Sequence, residues 1–153
     1  MSFCLRDFRP EDFDTLWKID QQCFAPGIAY SRFELKVYLH RRTSFSLIAE
    51  HDSGSVAGFI VAEGGRRKVG HIITIDVLPG ARRLGIGSTL LAAAEARLAA
   101  AGYQRVSLET AVDNASAISF YKRHGYFLAK TVPRYYSNGV DALVLEKDLP
   151  REN

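Results

Sequence analysis

The order of apolar segments predicts an α/β (α+β) fold: a mixed sheet of seven strands with about four helices on its two faces. Three observations predict it. The early strands are joined by a hairpin turn. The later strands are separated by helical stretches. One strand passes into a long alanine-rich helix through a loop that carries glycines.

Taken in order, Phe3 to Phe8 read as the first strand. Arg9-Pro10-Glu11-Asp12 reads as a helix start, with Pro in the first turn and acids at the positive end of the dipole. Phe13, Leu16, Ile19 and Cys23 continue it at helical spacing, and Ala25-Pro26-Gly27 breaks it. Ser31-Arg32-Phe33-Glu34 is a capping box, which predicts a second helix to about His40. Ser46 to Glu50 and Val56 to Glu63 flank the turn Asp52-Ser53-Gly54-Ser55 as a hairpin. His71 to Leu78 is the next strand. Leu84 to Ala101 is the long helix, with Leu91, Ala94 and Leu98 as its core stripe and Gly102 as its stop. Arg105 to Thr110, Ala115 to His124, Phe127 to Val132 and Ala142 to Lys147 follow as strand, helix, strand and strand.

With 153 residues, 47% apolar and 24% charged, the chain reads as one domain over residues 1–149 with a polar tail at 150–153. That composition excludes disorder, and no apolar run is long enough to span a membrane. No secretory signal is visible. Cys4 and Cys23 form no disulfide framework and no zinc spacing, so they read as small buried hydrophobes in a reducing, cytoplasmic setting, with no metal expected. A net charge of +3 without aromatic-studded basic strands argues against a nucleic-acid binder. Arg41-Arg42 and Arg66-Arg67-Lys68 read as solvated clusters.

The strongest chemical signal is Val77-Leu78-Pro79-Gly80-Ala81-Arg82-Arg83-Leu84-Gly85-Ile86-Gly87-Ser88, where a strand hands over to a helix. Glycines there expose backbone N–H groups at the positive end of a helix dipole, a site for an anion. The familiar nucleotide motifs fail. A Walker loop needs Lys after Gly85, where Ile86 stands, and a dinucleotide fingerprint from Gly85 needs Gly where Leu90 stands. Glu109 shares a strand face with Ser107, opposite Val106 and Leu108. It reads either as a base whose pKa desolvation raises or as a surface carboxylate paired with Arg or Lys. Asn114, Ile118 and Tyr121 fall on one helix face, where Tyr121 is either an acid or core packing. His40, His51, His71 and His124 have no acid or nucleophile at a recognisable spacing and read as structural or surface.

Arg82-x-x-Gly85-x-Gly87 resembles the pyrophosphate loop of the GNAT N-acetyltransferase superfamily. Ile75-Asp76-Val77, Leu108-Glu109-Thr110, Asn114 to Tyr121 and Tyr135-Tyr136 agree with it in order, so the resemblance covers nearly the whole chain. Cys23-Phe24, Leu108-Glu109, the run Asn114-Ala115-Ser116-Ala117-Ile118-Ser119-Phe120-Tyr121, and Tyr135-Tyr136 before Asp141-Ala142 are most similar to the ribosomal-protein alanine N-acetyltransferase (RimI-like) branch.

The resemblance implies a mostly antiparallel sheet and the transfer of an acetyl group from acetyl-CoA, by direct attack, to a primary amine. It points first to the α-amine of a protein or peptide N-terminus. A small-molecule amine, or a CoA-binding module without turnover, are the alternatives. It places the pyrophosphate on the loop Arg82, Arg83, Leu84, Gly85, Ile86, Gly87 and Ser88. It lays the pantetheine arm along the backbone of Ile75, Asp76 and Val77, with Asn114 in contact. It makes Glu109 the base and Tyr121 the general acid, and lines the acceptor site with Tyr30, Tyr135 and Tyr136. The Asp76 side chain departs from the family pattern; it either turns into an internal hydrogen-bond network or touches the acceptor amine. The segment Pro26-Gly27-Ile28-Ala29-Tyr30-Ser31 replaces the family's Pro-Trp-Ser beside the acceptor. A monomer or weak dimer is expected, with no nucleic acid and no membrane as partner.

Overall fold

A computed structural model describes residues 2–150, so tail residues 151–153 lie outside the described residues. The strands are β1 (Phe3–Asp7), β2 (Ser44–His51), β3 (Val56–Gly64), β4 (Val69–Val77), β5 (Arg105–Ala111), β6 (Phe127–Val132) and β7 (Ala142–Asp148). The helices are α1 (Phe13–Cys23), α2 (Arg32–His40), α3 (Ile86–Ala100) and α4 (Ala115–Arg123). The expected mixed architecture is borne out: one seven-stranded sheet in the order β1-β2-β3-β4-β5-β7-β6. Neighbours run antiparallel except β4 and β5, which run parallel.

Local chemistry sets the element ends. Ser31 accepts from Glu34 N–H at 3.1 Å and Glu34 Oε1 accepts from Ser31 N–H at 3.0 Å, the reciprocal box that starts α2. The α1 segment differs from expectation. Pro10–Asp12 form a 3-10 turn and the helix proper begins at Phe13. Asp12 caps this turn by accepting from Arg9 N–H at 2.8 Å and also grips Arg6 through two bonds of 2.8 Å, and Arg6 pairs with Glu50 as well. That Arg6 clamp holds the Asp12 carboxyl below its ordinary range. The long helix starts at Ile86, because Arg83 and Gly85 are both left-handed, at φ 69° and 78°.

Each sheet face carries its own core. Leu90, Leu91, Ala94 and Leu98 of α3 pack with Ile60, Ile72, Val106, Leu108 and Leu145. Leu16, Ile19 and Leu35 of α1 and α2 pack on the other face against Ile48, Phe59 and Val61. Central β3 is therefore buried on both faces, which explains its unbroken apolar run.

Two irregularities shape the middle of the sheet. A bulge at Ile73 sits between the pairs Val61↔Thr74 and Ala62↔Ile72. Beyond it, Ile75 and Val77 join the core under α3, while Asp76 turns toward α1. The parallel pairing of β4 with β5 covers only Val69↔Arg105, Gly70↔Val106 and His71↔Ser107. Past His71 the two strands part.

Candidate active site

Where β4 and β5 part, a cleft of about 850 Å³ opens. Ile75 and Val77 line one wall, Leu108 to Ala111 the other, and the glycine loop before α3, together with α4, closes one end. Residues Ile75 to Val77 pair with β3 on one side only, so the β4 edge facing the cleft keeps main-chain groups available.

At the loop end, the first helical bond of α3 runs from Thr89 N–H to Gly85 O at 3.0 Å. The N–H groups of Ile86, Gly87 and Ser88 thus have no intrahelical acceptor, and these residues line the cleft. Arg82 and Arg83 line it as well, and Arg82 Nε donates to Val77 O at 3.0 Å. Leu84, expected in the anion site, is not part of the lining. It stands half exposed because the left-handed Arg83 turns the chain outward. Ser88 Oγ lies 2.9 Å from His124 Nε2, tying α3 to the end of α4.

Glu109 projects from β5 into the other half of the cleft. Behind it stands His71, whose Nε2 lies 2.9 Å and 3.1 Å from the two carboxylate oxygens. His71 Nδ1 is 3.7 Å from Glu63, which Arg41 holds at 3.0 Å. Tyr135 donates its hydroxyl to Glu109 at 3.1 Å. Both halves of this pair correct the sequence reading. His71 has an acid partner, because the parallel register lays β4 beside β5. Burial alone pushes the Glu109 carboxyl up, but the His71 hydrogen bond and charge, with the Tyr135 hydroxyl, outweigh it and hold the group below its ordinary range. For His71, burial favours the neutral ring, yet Glu109 and then Glu63 prevail and raise its pKa. No sequence pattern flags His71; the one signal for it is the strand register, which a linear reading does not contain.

Tyr121 of α4 reaches the cleft from the α3 side of the sheet, buried in that core. Burial, helped by the Asp76 charge, pushes its phenol up, so it stays protonated. Ala117 and Phe120 share the cleft wall with it, and the expected Ile118 does not. Asn114 lines the cleft, and its side-chain oxygen caps α4 by accepting from Ala117 N–H at 3.2 Å. Asp76 is fully buried and turned away from the cleft. Cys23 Sγ rests 3.4 Å from Val77 O, and burial pushes its thiol up to about 11, so it is a poor nucleophile at neutral pH. Cys4, expected to be buried, is exposed at the β1 edge.

The Glu109 end of the cleft is walled by aromatic residues, among them Tyr30, Tyr135 and Tyr136. Tyr30 is anchored rather than free: its hydroxyl donates to Ile73 O at 3.2 Å. Tyr135 and Tyr136 stand at 85° to one another in the β6–β7 connection, and burial pushes the Tyr136 phenol up to about 12. Ser137 Oγ donates to Gly27 O at 2.9 Å, so this connection meets the α1–α2 loop across the cleft. Among the described residues, no group of three or more His, Cys, Asp or Glu is placed to hold a metal, and no helix is long and apolar enough to cross a membrane.

A family model described as "Acetyltransferase (GNAT) family" matches residues 13–126. The chain belongs to the GNAT family. An N-alpha-acetyltransferase of Sulfurisphaera tokodaii is 32% identical to it over 95% of this chain and 92% of the relative. The Ard1 structure from Thermoplasma volcanium superposes with a TM-score of 0.87 at 27% identity, covering 99% of this chain and all of that one. The ribosomal-protein-S18-alanine N-acetyltransferase of Escherichia coli shares the fold, with a TM-score of 0.86 at 20% identity over 99% and 97% of the two chains. The acetyl-CoA-dependent N-acetyltransferase class expected from the sequence is borne out by the family and by these relatives.

GNAT acetyltransferases use acetyl-CoA, and the free amides of Ile86 to Ser88, with two arginines beside them, suit its pyrophosphate. Gly87 offers the cleaner test of this loop. It has no positive φ, and the nearest atoms to a Cβ there are the Phe120 ring at 3.4 Å and Val77 Cγ2 at 3.7 Å, ordinary contact distances. Gly87→Glu is expected to raise the acetyl-CoA Kd about tenfold or more, roughly 1.4 kcal/mol, by setting a negative charge beside the phosphates. Titration calorimetry reads the affinity, and an unchanged circular dichroism spectrum excludes misfolding.

Proposed function

We propose that the chain moves the acetyl group of acetyl-CoA to the α-amino group of a protein or peptide N-terminus. The observation that carries this is the Glu109–His71 pair at the acceptor end of a cleft roofed by the Gly27–Ser137 contact. An α-amine has a pKa of about 7.7–8.0, against about 10.4 for a lysine side chain. A base built on a histidine raised above its ordinary value matches the first and is far too weak for the second. The roof favours a chain end, which enters lengthwise, over a residue in mid-chain. The 32%-identical relative is itself an N-alpha-acetyltransferase.

In this reading Glu109, which faces the cleft, receives the amine proton. His71 behind it keeps that proton across the 2.9 Å hydrogen bond. A main-chain N–H of Ile75 to Val77 polarises the thioester carbonyl. Tyr121, held protonated, donates to the departing sulfur. The loop Arg82 to Ser88, without Leu84, holds the pyrophosphate, and Asn114 borders the pantetheine arm.

The test is an acceptor panel with acetyl-CoA. A peptide with a free N-terminus should react fastest. The same peptide with a blocked α-amine and a free lysine should react poorly, and small amines should be slow. Faster transfer to the lysine peptide or to a small amine would overturn the reading. Tyr135→Ala should raise the peptide KM and also lower kcat, since Tyr135 donates to Glu109 as well as lining the groove.

A further inference from the structure

Two aspartates sit behind the cofactor strand with no part in the chemistry above. Asp20 of α1 and Asp76 of β4 are both fully shielded from solvent. Each has one oxygen committed. Asp20 Oδ2 accepts from Tyr30 N–H at 2.7 Å, and Asp76 Oδ1 accepts from the Thr74 hydroxyl at 2.5 Å. The other two oxygens, Asp20 Oδ1 and Asp76 Oδ2, are buried and meet no N–H or O–H donor. α1 packs against β4, which sets the two carboxyls beside one another. Two bare carboxylates cannot face one another in an apolar interior; one oxygen must carry a proton and donate it to the other.

We propose that Asp20 and Asp76 hold a single proton between them, and that this pair positions the acceptor loop at Tyr30 on the cofactor strand. The chain of contacts is continuous. It runs from the Tyr30 backbone to Asp20, through the shared proton to Asp76, and on to Thr74 of β4, while the Tyr30 hydroxyl returns to β4 at Ile73. The acceptor wall and the strand proposed to carry the thioester are thereby set against one another. This rests on the acceptor and cofactor assignments proposed above. The titratable and charged groups around the pair are Cys23 on α1, Tyr30 on the loop, Glu34 on α2, Arg82 on the cofactor loop and Tyr121 on α4. Arg82 is the one cation among them, and it favours the single negative charge the pair retains. Burial raises both carboxyls above their ordinary range, in the sense a shared proton requires.

The first tests need no substrate. Infrared spectra of the whole chain at neutral pD should show the C=O stretch of a protonated carboxyl, since ordinary carboxyls, with pKa about 4, are ionised there. Asp76→Asn and Asp20→Asn should each remove that band, because an amide donates in place of the proton. A wild-type spectrum without the band would overturn the proposal. The folded chain then binds one more proton than the unfolded chain above the ordinary carboxyl range, so stability falls as pH rises. Relative to Asp76→Asn, the wild-type folding constant should drop about tenfold per pH unit until the pair ionises. Parallel pH dependences in urea titrations would overturn it.

For positioning, Asp20→Ala should raise the peptide KM about tenfold, the cost of one lost hydrogen bond to a charged group, with the acetyl-CoA Kd within about twofold. Asp20→Asn, which keeps both hydrogen bonds, should restore the KM. An unmoved KM in a folded Ala variant would remove the positioning role. If the band is present but no peptide is acetylated, the pair stands and the proposed acceptor falls.

Discussion

Replacing Tyr121 with Phe is expected to lower kcat about 10²–10⁴-fold, the usual worth of a placed acid or base, while leaving the acetyl-CoA Kd unchanged. The substitution is conservative for packing. Tyr121 sits in the core under α3, with its ring edge-on to Phe120 and Tyr126 at 5.3 Å and 5.6 Å, and Phe keeps that ring. What it loses is one proton at the cleft wall. Burial has already moved the phenol above its ordinary value of about 10, so full transfer to a thiolate of pKa about 8.5 is uphill. The gain must come from a hydrogen bond that strengthens as the carbon–sulfur bond breaks. The raised pKa also has a kinetic signature. Tyr121 stays protonated through the working range, so wild-type kcat should show no descending limb from it below pH about 10. Single-turnover rates across pH check both points. A Phe variant with wild-type kcat would leave Tyr121 as packing.

The fold is legible in the sequence because its signals are local. The Ser31 capping box, the Asp52 to Ser55 turn and the glycines at 102 and 125, at φ 92° and 90°, each mark an element end within a few residues. The glycine loop before α3 is legible for the same reason. What a linear reading misses is information carried across strands. His71 and Glu109 are 38 residues apart, and only the parallel register brings them within 2.9 Å. The error in the Glu109 pKa follows directly, since desolvation is visible in the apolar alternation but the neighbouring imidazole is not. Leu84 shows the opposite limit. It belongs to the motif by position, yet the left-handed turn at Arg83 removes it from the cleft. Asp20 and Asp76 likewise stand more than fifty residues apart on a helix and a strand, and no periodicity shows that both carboxyls end buried with an unpartnered oxygen.

Glu109→Gln should lower kcat/KM at pH 7 by about 10²–10⁴-fold, and the loss should shrink as pH approaches the acceptor pKa of about 8. The sign follows from the pair. In the proposed mechanism the acidic limb of wild-type kcat/KM is expected to report His71, whose pKa lies above its ordinary value because burial is outweighed by Glu109 and Glu63. Below that pKa the imidazole is already charged and cannot keep the amine proton; above it the ring is free to do so. Activity therefore rises with pH through the His71 value and then through that of the amine. The amide of the Glu109→Gln variant receives no proton and supplies no negative charge to His71. With the path to His71 cut, the variant's residual rate follows the acceptor amine alone, so the His71 limb is lost as the rate falls, a combination that loss of packing does not produce. His71→Ala separates the two roles. Glu109 remains to meet the amine, but nothing behind it keeps the proton, so the His71 limb should vanish and the residual profile should follow the acceptor amine alone. Full pH profiles for the wild type and both variants, on one N-terminal peptide, decide the matter. A His71→Ala enzyme with an unchanged acidic limb would assign that limb to another group and leave Glu109 as the sole base.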